Sequence, residues 1–145
     1  MKTIHFQFLK PIVLAERNRL RAFLLNAFKK ENRSVQSLTI WFCSNDKILK
    51  INKKHLKHNY YTDIITFDFS PSPQHPIVSD IFISVDMIRE NAQTFHTTTK
   101  AELHRVIFHG ALHLCGYGDK TEHEKKIMRK KEDKLLSSYF VSRET

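Results

Sequence analysis

His109 and His113 stand at i and i+4, the spacing at which a helix offers two imidazoles to one metal ion. With nine histidines in 145 residues, roughly half a pair of this kind is expected by chance, so the spacing needs support from its surroundings. From Leu103 to Cys115 the chain is apolar nearly all round (Leu103, Val106, Ile107, Phe108, Ala111, Leu112, Leu114), the pattern of a helix buried on most sides. Two unpaired imidazoles on such a helix would cost several kcal/mol to bury, and a shared ion satisfies both.

The glycines point to the same place. All three in the chain (Gly110, Gly116 and Gly118) fall within nine positions of one another. Gly116 stands where a left-handed helix C-cap is expected, and Gly118 permits a second sharp turn, so the chain can fold back and return the Asp119 carboxylate to the histidine face. His123 competes with Asp119 as third ligand. Gly110 disfavours a helix by about 1 kcal/mol relative to alanine, which calls for a reason such as close approach of substrate or a tight helix crossing. It also occupies the position at which H-E-x-x-H peptidases carry their general base, so that mechanism is excluded here. The chemistry left is water polarised by a metal and directed at an electrophile such as a phosphodiester.

Several elements must hold these residues in place. Ile4 to Leu9 reads as a first strand, and Pro11 opens an amphipathic helix through Ala15, Leu20, Phe23, Leu24 and Phe28. Ser37 to Cys43 is a second strand, and Asn45 is the expected cap of a helix from Asp46 to about Leu56. Asp63 to Phe69 and Ile77 to Ser84 are further strands, joined by the proline-rich stretch Pro71 to Pro76. Asp86 to about Phe95 is a helix. Capping-box patterns at Thr99–Glu102 and Thr121–Glu124 open the helix that carries the histidines and a last helix through Leu136. The order βαβαββααα predicts an α+β fold, a mixed α/β layer in which a small mixed sheet of about four strands packs with five helices and the metal site lies on a buried central helix. One domain spanning residues 1–145 is expected.

The totals narrow the partners. Twenty-four Lys and Arg against 15 Asp and Glu give a net charge of +9, and the pI is near 9.7, a field that attracts polyanions such as nucleic acid. Lys47, Lys50, Lys54 and Lys57 share one helical face, a candidate phosphate-backbone contact whose ordinary alternative is a solvated stripe. Cys43 and Cys115 provide no disulfide framework, and Cys115 reads as core filling. No apolar run reaches membrane length and the N-terminus lacks signal-peptide architecture, so a cytoplasmic protein without a membrane partner is expected.

The segment His109-Gly-Ala-Leu-His-Leu-Cys-Gly-Tyr-Gly-Asp119 resembles H-G-x-L-H-L-x-G-Y-D-H, the signature of the YbeY family of bacterial endoribonucleases. Thr62-Asp-Ile-Ile-Thr-Phe67 is similar to that family's T-D-V-L-S-F strand, Ser79-Asp-Ile-Phe-Ile-Ser84 to its G-D-I-x-I-S strand, and Glu102 to Ile107 to its helix lead-in. The resemblance implies a single-strand-specific endoribonuclease acting in 16S rRNA 3′-end maturation and ribosome quality control. It implies rRNA and small-subunit particles as partners, with no DNA, and one divalent metal, zinc first. Two departures stand out. The family's third histidine falls on Asp119, which makes the implied ligand set His109, His113 and Asp119, with His123 as the alternative. The family's loop R-x-K-D-x-P is replaced by Leu56-Lys-His-Asn-Tyr-Tyr61, which removes an arginine expected to face phosphate and leaves Lys57, His58 and Arg105 as candidates to replace it. The catalytic base is not identified by the sequence.

Asp119 would also change the metal. Two imidazoles and a carboxylate leave about one positive charge on a divalent ion, so bound water is less acidified than in a three-histidine site, and the set also suits ferrous iron. The alternative function, from another class, is a ribosome-assembly or RNA-binding factor whose metal is structural.

Overall fold

Alternation of apolar residues along four short segments builds the sheet. The computed structural model describes residues 3–56 and 62–141. Strands β1 (Ile4–Phe8), β2 (Val35–Cys43), β3 (Ile64–Asp68) and β4 (Ile77–Ser84) lie in the order β1-β2-β4-β3. The pairs β1/β2 and β2/β4 are parallel, and β3 runs antiparallel along β4 with Thr66 opposite Ile81. On one face Leu38, Ile40, Phe42, Ile77, Ile81 and Ile83 join the main core. Successive side chains in a strand alternate faces, which sends Trp41 and Phe82 to the other side, where their rings stack 5.7 Å apart.

Among the described residues five α-helices complete the fold: α1 (Arg17–Lys30), α2 (Asn45–Ile51), α3 (Val85–Thr94), α4 (Thr99–Leu114) and α5 (Glu122–Val141). The element order and the mixed α+β layer are those expected from the sequence. Helix α4 is the central one, with Leu103, Val106, Ile107, Phe108, Ala111 and Leu114 in the main core. Apolar burial on almost every side of α4 leaves its few polar residues as the informative ones.

Three local expectations are revised. Helix α1 starts at Arg17, not Pro11, because Glu16 adopts a left-handed conformation (φ 54°, ψ 51°) that no helix can continue through. The caps of α2 and α4 each lie one residue earlier than expected: Ser44 accepts from the Lys47 N–H and Thr98 from the Ala101 N–H. Asn45 instead ties α2 to the next unit, accepting from the Ser84 hydroxyl at 2.6 Å and donating its backbone N–H to Asp86 at 2.8 Å. Helix α2 also ends early, at Ile51, and passes into one π-helical turn, Asn52–Leu56.

Helix α2 packs Ile48 and Ile51 against Cys43 and Ile65. By strand alternation that is the sheet face opposite α4. The exposed Lys47, Lys50 and Lys54 therefore ride on the far side of the sheet from the histidine pair. Lys57 and His58 lie outside the described residues.

One buried histidine predicts an acid response. His104 on α4 is 1% exposed and stacks on Tyr139, with ring centroids 5.2 Å apart. Its Nδ1 lies 2.8 Å from the Lys100 carbonyl oxygen, and its Nε2 has no partner among the described residues. Burial holds this imidazole below the ordinary histidine range; the hydrogen bond to the Lys100 carbonyl opposes it in part, and the Lys100 and Arg19 charges add to it. The unfolded chain then takes up a proton before the folded one does, so stability falls as pH drops below that range and levels off once the folded value is passed. His104→Phe is expected to flatten this segment of a pH-dependent urea-unfolding series relative to the parent chain. Parallel curves would show that His104 does not titrate differently in the two states.

Candidate metal centre

The site begins with how closely α4 lies on the sheet. A Cβ placed on Gly110 would meet Ile64 Cδ1 at 2.8 Å and Ile81 Cδ1 at 3.0 Å. Of the two readings open for this glycine, the tight crossing is the one observed, here of helix against strands β3 and β4. The crossing sets His109 and His113 at the β3 edge of the sheet, where Thr62, Asp63, Ile64 and Thr66 line a cleft with them.

The turn after α4 brings in the carboxylate. Gly116 has φ +98°, and its N–H donates to the His113 carbonyl at 3.0 Å while the Tyr117 N–H donates to Leu112 at 3.1 Å. Arg33 donates to the Leu114 carbonyl at 2.6 Å, a cation placed against the negative end of the helix. Tyr117 then anchors the turn by donating to Glu31 at 2.7 Å.

Gly118 plays a different part from the one expected, since it is not among the positive-φ residues. A Cβ there would come within 2.6 Å of Glu124 Oε2. The glycine leaves room for Glu124 Oε1 to reach back and accept from the backbone N–H groups of Lys120 (3.1 Å) and Thr121 (3.0 Å), while the Thr121 hydroxyl accepts from the Glu124 N–H (3.0 Å). This is the reciprocal capping box that Thr121–Glu124 announced. It starts α5 just past Asp119.

His109 Nε2 stands 3.2 Å and His113 Nε2 3.4 Å from the same oxygen, Asp119 Oδ2. One ligand atom from each of the three lies within 4.8 Å of the others, the one such group among the described residues. Two donors on one tetrahedral ion with bonds of about 2.0–2.1 Å stand about 3.3 Å apart, so the spacing fits a single zinc-sized ion. His123 is exposed on the first turn of α5 and is not part of the group.

Glu132 of α5 stands behind this arrangement, with its side chain 6% exposed, and accepts from His109 Nδ1 at 2.6 Å. A proton held on Nδ1 leaves Nε2 bare, the tautomer a metal requires. Arg105 donates to Glu132 at 2.8 Å and to Asp133 at 2.7 Å. The guanidinium proposed as a phosphate contact is thus already committed to two carboxylates. Sequence reasoning missed Glu132. The signal was a carboxylate on the buried stripe of α5, where Met128, Glu132 and Tyr139 are all buried.

The electrostatics follow from this packing. Burial pushes the His109 imidazole down, but the hydrogen bond and charge of Glu132, with Asp119 and Asp63 behind it, outweigh burial and hold it above the ordinary histidine range. Burial raises Asp63, an effect partly offset by His109. Burial and the Asp63 charge likewise raise Glu102. Cys115 packs against the core, and burial pushes its thiol up to about 11, which suits filling and not ligation.

Two clefts of about 570 and 620 Å³ share Asp63, His109 and Asp119 in their walls. The metal group is therefore open on both sides. A structural metal is usually closed off by four protein ligands, whereas a catalytic one keeps a position for water or substrate.

Comparison with known proteins identifies the family and the fold. The chain is 51% identical over 124 residues, 86% of each chain, to an endoribonuclease YbeY of Cytophaga hutchinsonii. It is 37% identical over 138 residues, 95% of each chain, to an endoribonuclease YbeY of Christiangramia forsetii. The fold is similar to the solution structure of TM1509 from Thermotoga maritima, with a TM-score of 0.63, 24% identity, and coverage of 96% of this chain and 91% of that one. The family model for endoribonuclease YbeY matches residues 12–140. With nearly the whole chain matched and the signature histidines set together at an open site, the chain belongs to the YbeY family of endoribonucleases.

Proposed function

We propose that this protein is a metal-dependent, single-strand-specific endoribonuclease that acts in the cytoplasm on the 3′ end of 16S rRNA within small-subunit particles, in maturation and quality control. The observation that carries the reading is the convergence of His109 Nε2, His113 Nε2 and Asp119 Oδ2 at the meeting point of two clefts. His109, His113 and Asp119 would hold the ion, zinc or ferrous iron, which when bound supplies Lewis-acid polarisation of a phosphoryl oxygen and of water. Glu132 keeps the His109 proton on Nδ1, and Arg105 holds Glu132 in place. The net charge of +9 favours a polyanionic substrate, and no helix among the described residues is long and apolar enough to cross a membrane.

Peptide hydrolysis of the H-E-x-x-H kind finds no support in the geometry. Position 110 faces Ile64 and Ile81, so a carboxylate there would point into the sheet and away from the ion. The other reading, an assembly factor with a structural metal, is at odds with the openness of the site on both sides.

Cleavage of 16S precursor RNA by the parent chain and by His113→Ala, at matched metal loading, tests the proposal. The expected result is loss of cutting in the variant. Equal cutting by both proteins would place the activity elsewhere and sink the assignment.

A further inference from the structure

The two clefts that meet at the metal group differ in charge. The one along β3 is lined by Thr62, Thr66 and Asp68 beyond the shared residues, with no lysine or arginine among its described walls. The other, between α3, α4 and α5, carries Lys125, Lys126 and Arg129 along its α5 wall and Phe95 at the end of α3. Lys125 sits 3.5 Å from Glu122. Among the described residues Lys126 enters no ion pair, and Arg129 makes no carboxylate contact within 4 Å, its charge acting at longer range on Glu102 in the same cleft. Spaced at i and i+3, Lys126 and Arg129 share one face of α5.

Phe95 is 65% exposed. Single exposed apolar residues are ordinary, but this one lines the same cleft as His109 and Asp119. Its place is fixed by backbone geometry: His96 takes a left-handed conformation (φ 54°) and the Thr97 N–H donates to the Ala92 carbonyl at 2.9 Å, closing the end of α3. The ring is thus held on a rigid turn while its surface stays open. An exposed aromatic in a cleft that also carries the exposed cations Lys126 and Arg129 is a combination that suits single-stranded nucleic acid, since every base has a face to stack and every linkage a charge.

We propose that the cleft between α3, α4 and α5 is the track along which single-stranded RNA reaches the metal group, with Phe95 as the platform for one unstacked base and Lys126 and Arg129 as contacts to flanking phosphates. The proposal rests on the endoribonuclease reading and deepens it by naming the substrate-holding residues. It also separates this face from the Lys47, Lys50 and Lys54 stripe beyond the sheet.

Binding of the full chain to a fluorescein-labelled single-stranded dodecauridylate, followed by anisotropy in chelator so that no strand is cut, tests it. Phe95→Ala is expected to weaken binding roughly tenfold and Phe95→Tyr to stay within about twofold of the parent. Both should melt as the parent does, because the ring is largely outside the core. Lys126→Gln with Arg129→Gln should flatten the dependence of log affinity on log salt by about 1.4, at about 0.7 per lost phosphate contact. Lys47→Gln, Lys50→Gln and Lys54→Gln combined should leave that slope alone. A slope that flattens only in the lysine triple, or Phe95→Ala binding like the parent, overturns the track. The nuclease reading fails separately: metal-loaded parent that binds as described yet cuts nothing refutes the activity and leaves the track standing. Parent that cuts while all the cleft variants bind and cut like it does the reverse.

Discussion

Asp119→Ala is expected to lose its metal on dialysis, whereas His123→Ala keeps about one ion per chain. Asp119 Oδ2 is the atom both imidazole Nε2 atoms approach, at 3.2 and 3.4 Å, and it provides the one carboxylate of the group. Without it a divalent ion keeps two neutral donors and no charged ligand. Loss of an outer partner of a metal-bound histidine lowers affinity by roughly 10–100-fold, and loss of a ligand should exceed that. His123 lies exposed on α5, outside the group. Elemental analysis of the two purified variants gives the result directly. Metal retained in Asp119→Ala and lost in His123→Ala would reverse the assignment.

Glu132→Ala should damage both the fold and the metal centre. It leaves the Arg105 guanidinium facing one carboxylate in place of two, and deprives the buried His109 Nδ1 of its acceptor. Leaving the buried His109 N–H without its acceptor costs about 1–3 kcal/mol, and loss of the group that orients His109 lowers metal affinity by roughly 10–100-fold. Glu132→Gln keeps an oxygen for His109 and loses the charge, so it should fall between the two. Chemical denaturation and competition with a chromogenic chelator measure the two effects. A Glu132→Ala protein that binds metal like the parent would show that the hydrogen bond to His109 plays no part in ligation.

The same pair sets a pH dependence. In the metal-free chain, despite the opposing effect of burial, Glu132 holds His109 above the ordinary histidine range. The resulting stabilisation is complete below the unfolded value and is lost as pH rises through the raised folded value. Metal must displace the Nε2 proton of the protonated imidazole, so affinity rises with pH over the same interval.

Much of the architecture was legible in one dimension. Strand alternation, the apolar girth of α4, the capping box at Thr121 and the left-handed Gly116 all depend on residues within about one helical turn or one strand pair, and there the chain carries its own instructions. The errors have the same origin. Pro11 satisfies every local rule for opening a helix, yet α1 waits for Arg17 because Glu16 is left-handed and Leu14 is buried. Ser44 and Thr98 displaced their neighbours as caps because several polar residues in a row satisfy the same rule, and the backbone settles which one is used.

The site divides along the same line. The i, i+4 histidine pair and its match to a family signature needed no coordinates. Whether Asp119 or His123 stands beside that pair depended on a turn anchored by Tyr117 to Glu31, 86 residues away, and by Arg33 to Leu114, 81 residues away. Glu132 reaches His109 across 23 residues, and Arg105 is paired across 27. Gly110 was open to two readings, approach of substrate or a tight crossing, until Ile64 and Ile81 proved to be pressed against it. Propensity and periodicity act between near neighbours and write themselves into the order of residues. The partner of a buried charge is chosen by which helices pack together, and that choice exists only once the chain has folded.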